Sequence, residues 1–114
     1  MEEILTIAEF VRTSNVSDSI ADMEQSLNRA IGYGQRVGEM LNEAQAALAK
    51  KRAGFIAELE RQEDETETTR KAKLEGAVCE DQKLVADLKN LKTHLREKKM
   101  MFMQAIKTRR EEPH

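Results

Sequence analysis

At 114 residues the chain is one domain at most, and with 35% charged residues, 4% aromatic residues, one Pro and no Trp it lacks the bulky groups of a globular core. Its abundant Ala, Glu, Lys, Leu and Arg are the composition of long helices, and a chain burying only a thin seam is marginal alone, so self-association or a partner is expected. The net charge of −2, the single cysteine, the absence of a positively charged start before an apolar run and the lack of any run of membrane-spanning length together lead to the expectation of a cytosolic protein with no membrane association.

Taken in order, Ile4, Leu5, Ile7, Ala8, Phe10 and Val11 predict a short helix over residues 2–13, ended by Thr13, Ser14 and Asn15. So short a helix is marginal in water, so its Ile7 and Phe10 face must dock on the long helices or on another copy of the chain. Val16, Ser17, Asp18 and Ser19 read as a cap: a Ser or Asp oxygen accepts from the free amides of the next turn, and Val16 can staple onto Ile20.

A first long arm over 17–62 follows. Ile20, Leu27, Gly34, Leu41, Leu48 and Phe55 recur every seven residues, with Met23, Ala30, Val37 and Ala44 between them. Apolar residues alternately three and four apart form one stripe of an α-helix, and holding that spacing for about five heptads favours coiled-coil-like pairing. Ala30, Gly34 and Gly38 share one face, and since each Gly weakens a helix by roughly 1 kcal/mol against Ala, the expectation is a close-packed crossing, or a contact site where Tyr33 meets a partner.

Within this arm, Gly38-Glu39-Met40-Leu41-Asn42-Glu43-Ala44 followed by Ala47-Leu48 resembles a helix common at the start of small phage and plasmid proteins that continue into a helix-turn-helix. The resemblance covers a small part of the chain, and the polar stretch from Glu58 to Thr69 stands where the recognition helix would follow, so no function is carried across. The helical hairpins exported by bacteria carry a Trp-x-Gly at the bend, and this chain has no Trp.

Glu58, Glu60, Glu63, Asp64, Glu65 and Glu67, with Thr66, Thr68 and Thr69, interrupt the seam, which places an acidic, solvated turn at 63–69. A second arm over 70–110 then carries Leu74, Ala77, Leu84, Leu88, Leu91, Leu95, Phe102 and Ala105 on one seam, flanked by Val78, Val85, Met101 and Ile106 and interrupted by Asp81 and Lys98. An antiparallel register sets Lys51 opposite Asp81, Leu48 opposite Leu84 and Ala30 opposite Phe102, so that the polar seam residues answer one another; a shift by one heptad fits almost as well. Cys79 is expected as a small buried residue beside the seam. The expected fold is therefore all-α, a long antiparallel helical hairpin with a short N-terminal helix, assembling into a bundle as a homo-oligomer.

Charge divides between the arms. Residues 1–49 carry three basic and eight acidic side chains, net −5, whereas 83–110 carry nine basic and two acidic, net +7. Lys89, Lys92, Arg96, Lys98, Lys99, Lys107, Arg109 and Arg110 could contact phosphates, but no zinc spacing, recognition turn or stacking platform accompanies them, so nucleic acid is the alternative partner. Met100, Met101, Phe102 and Met103 cannot all face one seam; methionine adapts to irregular surfaces, so the cluster is either the cover for the N-terminal helix or a protein-binding surface, with Ile7, Phe10, Tyr33, Met100, Met101 and Met103 as the candidate binding residues. His94 and His114 have no neighbours at metal-ligand or triad spacing, and no cofactor, metal or catalytic residue is expected. The expected function is a non-enzymatic protein-binding module, a small adaptor or inhibitor of a larger machine, with phage origin as one setting for an inhibitor.

Overall fold

A computed structural model of the chain describes residues 2–60 and 66–112, apart from the side chains of 59 and 60. Three helices make up the described residues: α1 (Glu2–Thr13), α2 (Ile20–Glu60) and α3 (Glu67–Glu111). The fold is an all-α helical hairpin of two long helices with a short helix before it. The part of the acidic turn at 61–65 lies outside the described residues; Glu67, Thr68 and Thr69 already belong to α3.

Local chemistry fixes the ends of these helices. Ser19 caps α2, its Oγ accepting from the Asp22 amide at 3.2 Å, while Ser17 Oγ accepts from the Ser19 amide at 2.9 Å to hold the approach. Thr66 caps α3 in the same way, accepting from the Thr69 amide at 3.2 Å. At the end of α1 the Ser14 amide donates to the Phe10 carbonyl at 2.9 Å, and Thr13 Oγ1 donates to the Glu9 carbonyl at 2.8 Å.

The chain forms two compact units, residues 1–38 with 89–114, and residues 39–88. The second is a pair of helical segments whose core is Leu41, Leu48, Val78, Val85 and Leu88. Within it Lys51 Nζ donates to Asp81 Oδ2 at 2.7 Å, the pairing the sequence register requires. Because both ends are half-exposed, the contact fixes register more than it stabilises.

In α2 each residue of the heptad series is buried or half-buried, and Met23, Ala30, Val37, Leu41 and Leu48 lie deepest. In α3 the seam runs one residue away from the expected one at Leu84, which is 38% exposed, while Val85 is buried in its place. With Asp81 facing Lys51, the buried positions of α3 in this unit are Val78, Val85 and Leu88. The same rotation turns Cys79 out, so the thiol expected beside the seam is exposed.

The first unit is a three-helix arrangement. Its core holds Ile7 from α1, Met23, Ala30 and Val37 from α2, and Leu91, Leu95, Phe102 and Ile106 from α3. Phe102 packs with Met23 and Ile106, with Phe10, Ile20, Leu27, Met101 and Ala105 against them. The partner of Phe102 in α2 is thus Met23, where the register had set Ala30 opposite it.

Candidate functional site

The sequence singled out the first unit, and its surface divides into two flanks. On one flank α1 lies along the long helices. Ile7 is fully buried, and the Phe10 ring meets Tyr33 edge-on with centroids 5.2 Å apart. Arg36 closes the same side, donating from Nε to Glu3 Oε1 at 2.5 Å and from Nη2 to Oε2 at 3.1 Å. Lys98 Nζ donates to the Ser14 carbonyl at 2.6 Å, giving the free C-terminal end of α1 a cation as well as a hydrogen bond.

The other flank carries no helix among the described residues. Helical spacing puts Ile31, Gly34 and Gln35 on the side of α2 turned away from Tyr33 and Arg36, and Lys92, Arg96 and Lys99 on the side of α3 turned away from Lys98 and Met101. Between them runs an open groove of about 410 Å³ with Ala30, Ile31 and Leu95 in its floor. The stripe continues into a second recess bounded by Leu27, Met103, Ile106 and Lys107.

The eight cations of the alternative reading separate between these flanks. Lys98 holds Ser14, Arg109 pairs with Asp18, and Arg110 pairs with Glu24. Lys89, Lys92, Arg96, Lys99 and Lys107 are exposed and make no ion pair with any described residue. Attraction between the acidic first arm and the basic second arm therefore accounts for part of the basic charge, while Lys92, Arg96 and Lys99 line the groove and Lys107 the adjoining recess.

The candidate protein-binding residues separate as well. Ile7, Phe10 and Tyr33 meet within the unit, and Met101 is half-buried against the core. Met100 is 60% and Met103 47% exposed, both on the flank of the groove. Ile31, which the sequence reading passed over because it lies off the heptad, joins them at 38% exposure. His94 lies near Val11, Glu97, Lys98 and Met101, and no cluster of potential metal ligands occurs among the described residues. No described helix is long and apolar enough to cross a membrane.

Ala30 is buried in the core, whereas the open space beside Gly34 and Gly38 corrects the expectation of a close-packed crossing there. A Cβ at Gly34 or Gly38 would meet nothing within 4 Å, so no described part of the chain uses the room that these glycines leave.

The titration shifts are confined to surface pairs. The hydrogen bond from Arg36, aided by its charge, holds Glu3 below the ordinary carboxylate pKa despite some desolvation, and Arg12 does the same for Glu9 within α1 while its own pKa rises. Because the folded pKa of Glu3 lies below the unfolded one, its contribution is fully present above the ordinary carboxylate value and is lost as pH falls through the depressed one. Acidification below that range is expected to loosen α1, seen as a change in the near-ultraviolet dichroism of Tyr33 while far-ultraviolet helicity persists. Glu3→Gln should weaken that pH dependence; a Tyr33 signal equally pH-sensitive in the variant would mean that Glu3 does not govern it.

No protein-family model, curated protein or solved structure matches the chain.

Proposed function

We propose that the protein is a non-enzymatic helical binding module, a small adaptor or an inhibitor of a larger cytoplasmic machine, that acts by helix-mediated association with another protein or another copy of itself. The observation that carries this reading is the exposure of three large apolar side chains on the flank away from α1: Ile31 in the groove, Met103 in the adjoining recess, and Met100 on the same side of α3. Scattered exposed apolar residues are ordinary on a surface, but three on a single flank beside an apolar-floored groove are the mark of an interaction face. Methionine suits it, since its unbranched thioether adapts to the partner it meets.

Nucleic-acid binding is the second reading, favoured by Lys92, Arg96, Lys99 and Lys107 on one stripe, exposed and with no ion pair among the described residues. Phosphate binding needs charge alone, whereas the groove floor is apolar, and that tips the choice to protein.

A photoreactive residue placed at Met103, compared with one at the exposed Thr108 on another face of α3, tests the reading in cells. Protein adducts, to a distinct partner or to the chain itself, are expected from position 103 and not from 108. Equal labelling at both positions, or adducts made of nucleic acid, would overturn it.

A further inference from the structure

We propose that the groove between α2 and α3, on the flank opposite α1, is the seat of an acidic amphipathic helix supplied by a different protein. The inference rests on the binding-module reading and adds to it the place, the chemistry and the sign of the partner.

Shape comes first. The first unit sets α1 against one side of the α2·α3 pair and leaves the other side open, so it presents three helices around a core with a lengthwise groove where a fourth would lie. Ala30, Ile31 and Leu95 are its apolar lining, and the adjoining recess carries the stripe to Leu27, about one turn along α2, and Met103, about two turns along α3, enough length for a helix to lay down an apolar stripe.

Gly34 is the second observation. It stands in the middle of a 41-residue helix at a cost of roughly 1 kcal/mol against Ala, has ordinary helical backbone, and faces open space where a Cβ would meet nothing within 4 Å. Nothing within the described fold requires a glycine there. The other glycines face open space as well, but Gly34 is the one that lines the groove, where a missing side chain lets an entering helix backbone come close.

Charge gives the sign. Lys92, Arg96 and Lys99 are spaced four and three apart along one rim, exposed and without an ion pair among the described residues, and Lys107 extends the row. Two copies placed groove to groove would bring these like-charged rims together, which disfavours self-pairing on this face. A helix with an apolar stripe flanked by Glu or Asp satisfies both floor and rim. A bare polyanion would satisfy the rim and leave the floor wet.

Binding is measured by fluorescence anisotropy of the full chain at about 150 mM salt with three labelled probes. These are an amphipathic helical peptide with a Leu and Ala stripe flanked by Glu, the same peptide with Lys for Glu, and a single-stranded DNA of matched charge. The Glu peptide is expected to bind and the Lys peptide not. Gly34→Leu should weaken the Glu peptide by roughly tenfold or more without lowering the thermal midpoint, since the new side chain fills only the groove. The triple variant Lys92→Glu, Arg96→Glu, Lys99→Glu should weaken it similarly and reduce its salt dependence.

Equal affinity for both peptides, or indifference to Gly34→Leu, would overturn the proposal. So would DNA binding tighter than the Glu peptide, which would assign the rim to phosphates, or a shift from oligomer to monomer in Gly34→Leu on sedimentation, which would assign the groove to a second copy. Crosslinking from Met103 to protein that persists in both variants would refute the groove while leaving the binding-module reading intact.

Discussion

Phe102→Ala is expected to lower the unfolding free energy by about 3–5 kcal/mol, a large share of the roughly 5–15 kcal/mol typical of a domain. Phe102 is fully buried in a cluster with Met23 and Ile106, against which the partly buried Phe10, Ile20 and Leu27 pack. Its loss opens a cavity that helices on three sides would have to close, and helices held by other layers relax only in part. Leu84→Ala removes a side chain given the same standing by the heptad pattern, yet with Leu84 partly exposed it should cost less than about 1 kcal/mol. Urea melts of the two variants check the contrast. If they fell together, the seam of α3 would have a different phase from the one described.

Ile7→Asp has the next largest expected effect, and a different character. It sets an unpaired carboxylate into a position with no exposure, where an ionised group costs several kcal/mol unless the structure gives way. What gives way is α1, only 12 residues long and held by Ile7, the Phe10–Tyr33 contact, the Arg36–Glu3 pair and Lys98. The expected result is loss of the Tyr33 near-ultraviolet signal with a fall in helicity no larger than α1 accounts for. Thr6→Asp, next to it on the exposed face, should leave the signal unchanged. An Ile7→Asp variant with native Tyr33 dichroism would show that α1 is held by its polar contacts.

Much of this arrangement is legible in the sequence, and the parts that are not share a cause. The seam of α2 reads directly because Met23, Val37 and Leu48 have only polar or small neighbours, which fixes the phase of the stripe past Ile31 and Met40. In α3 the apolar residues come in adjacent pairs, Ala77 with Val78, Leu84 with Val85, and Ala105 with Ile106, and either member of a pair continues a heptad. Packing decides between them, burying Val78, Val85 and Ile106 and leaving Leu84 and Cys79 exposed. The caps at Ser19 and the C-terminal end of α1 follow from local chemistry, as does the cap at Thr66. The candidate site is less legible. A count of Lys and Arg along a helix cannot say which flank α1 will take, and that choice alone separates the paired Lys98 and Arg109 from Lys92, Arg96 and Lys99, which have no ion pair among the described residues. Ile31 was missed for the same reason, since a residue off the heptad gains meaning only when a third helix leaves its flank bare.

The two compact units differ in how the chain is threaded through them, and this orders the events of synthesis. Residues 39–88 form their unit from one continuous stretch, whereas the other joins residues 1–38 to 89–114. Contacts such as Lys98 with Ser14, 84 positions apart, cannot form while the intervening chain is still being made. The first segment to leave the ribosome therefore waits, with Ile7 and Met23 uncovered, until the later segment arrives. Closing the 39–88 stretch shortens the effective loop that separates the waiting pieces and so lowers the entropic cost of their meeting. During that interval the nascent chain exposes apolar residues that the folded unit buries, and its exposure to aggregation lasts as long as the wait.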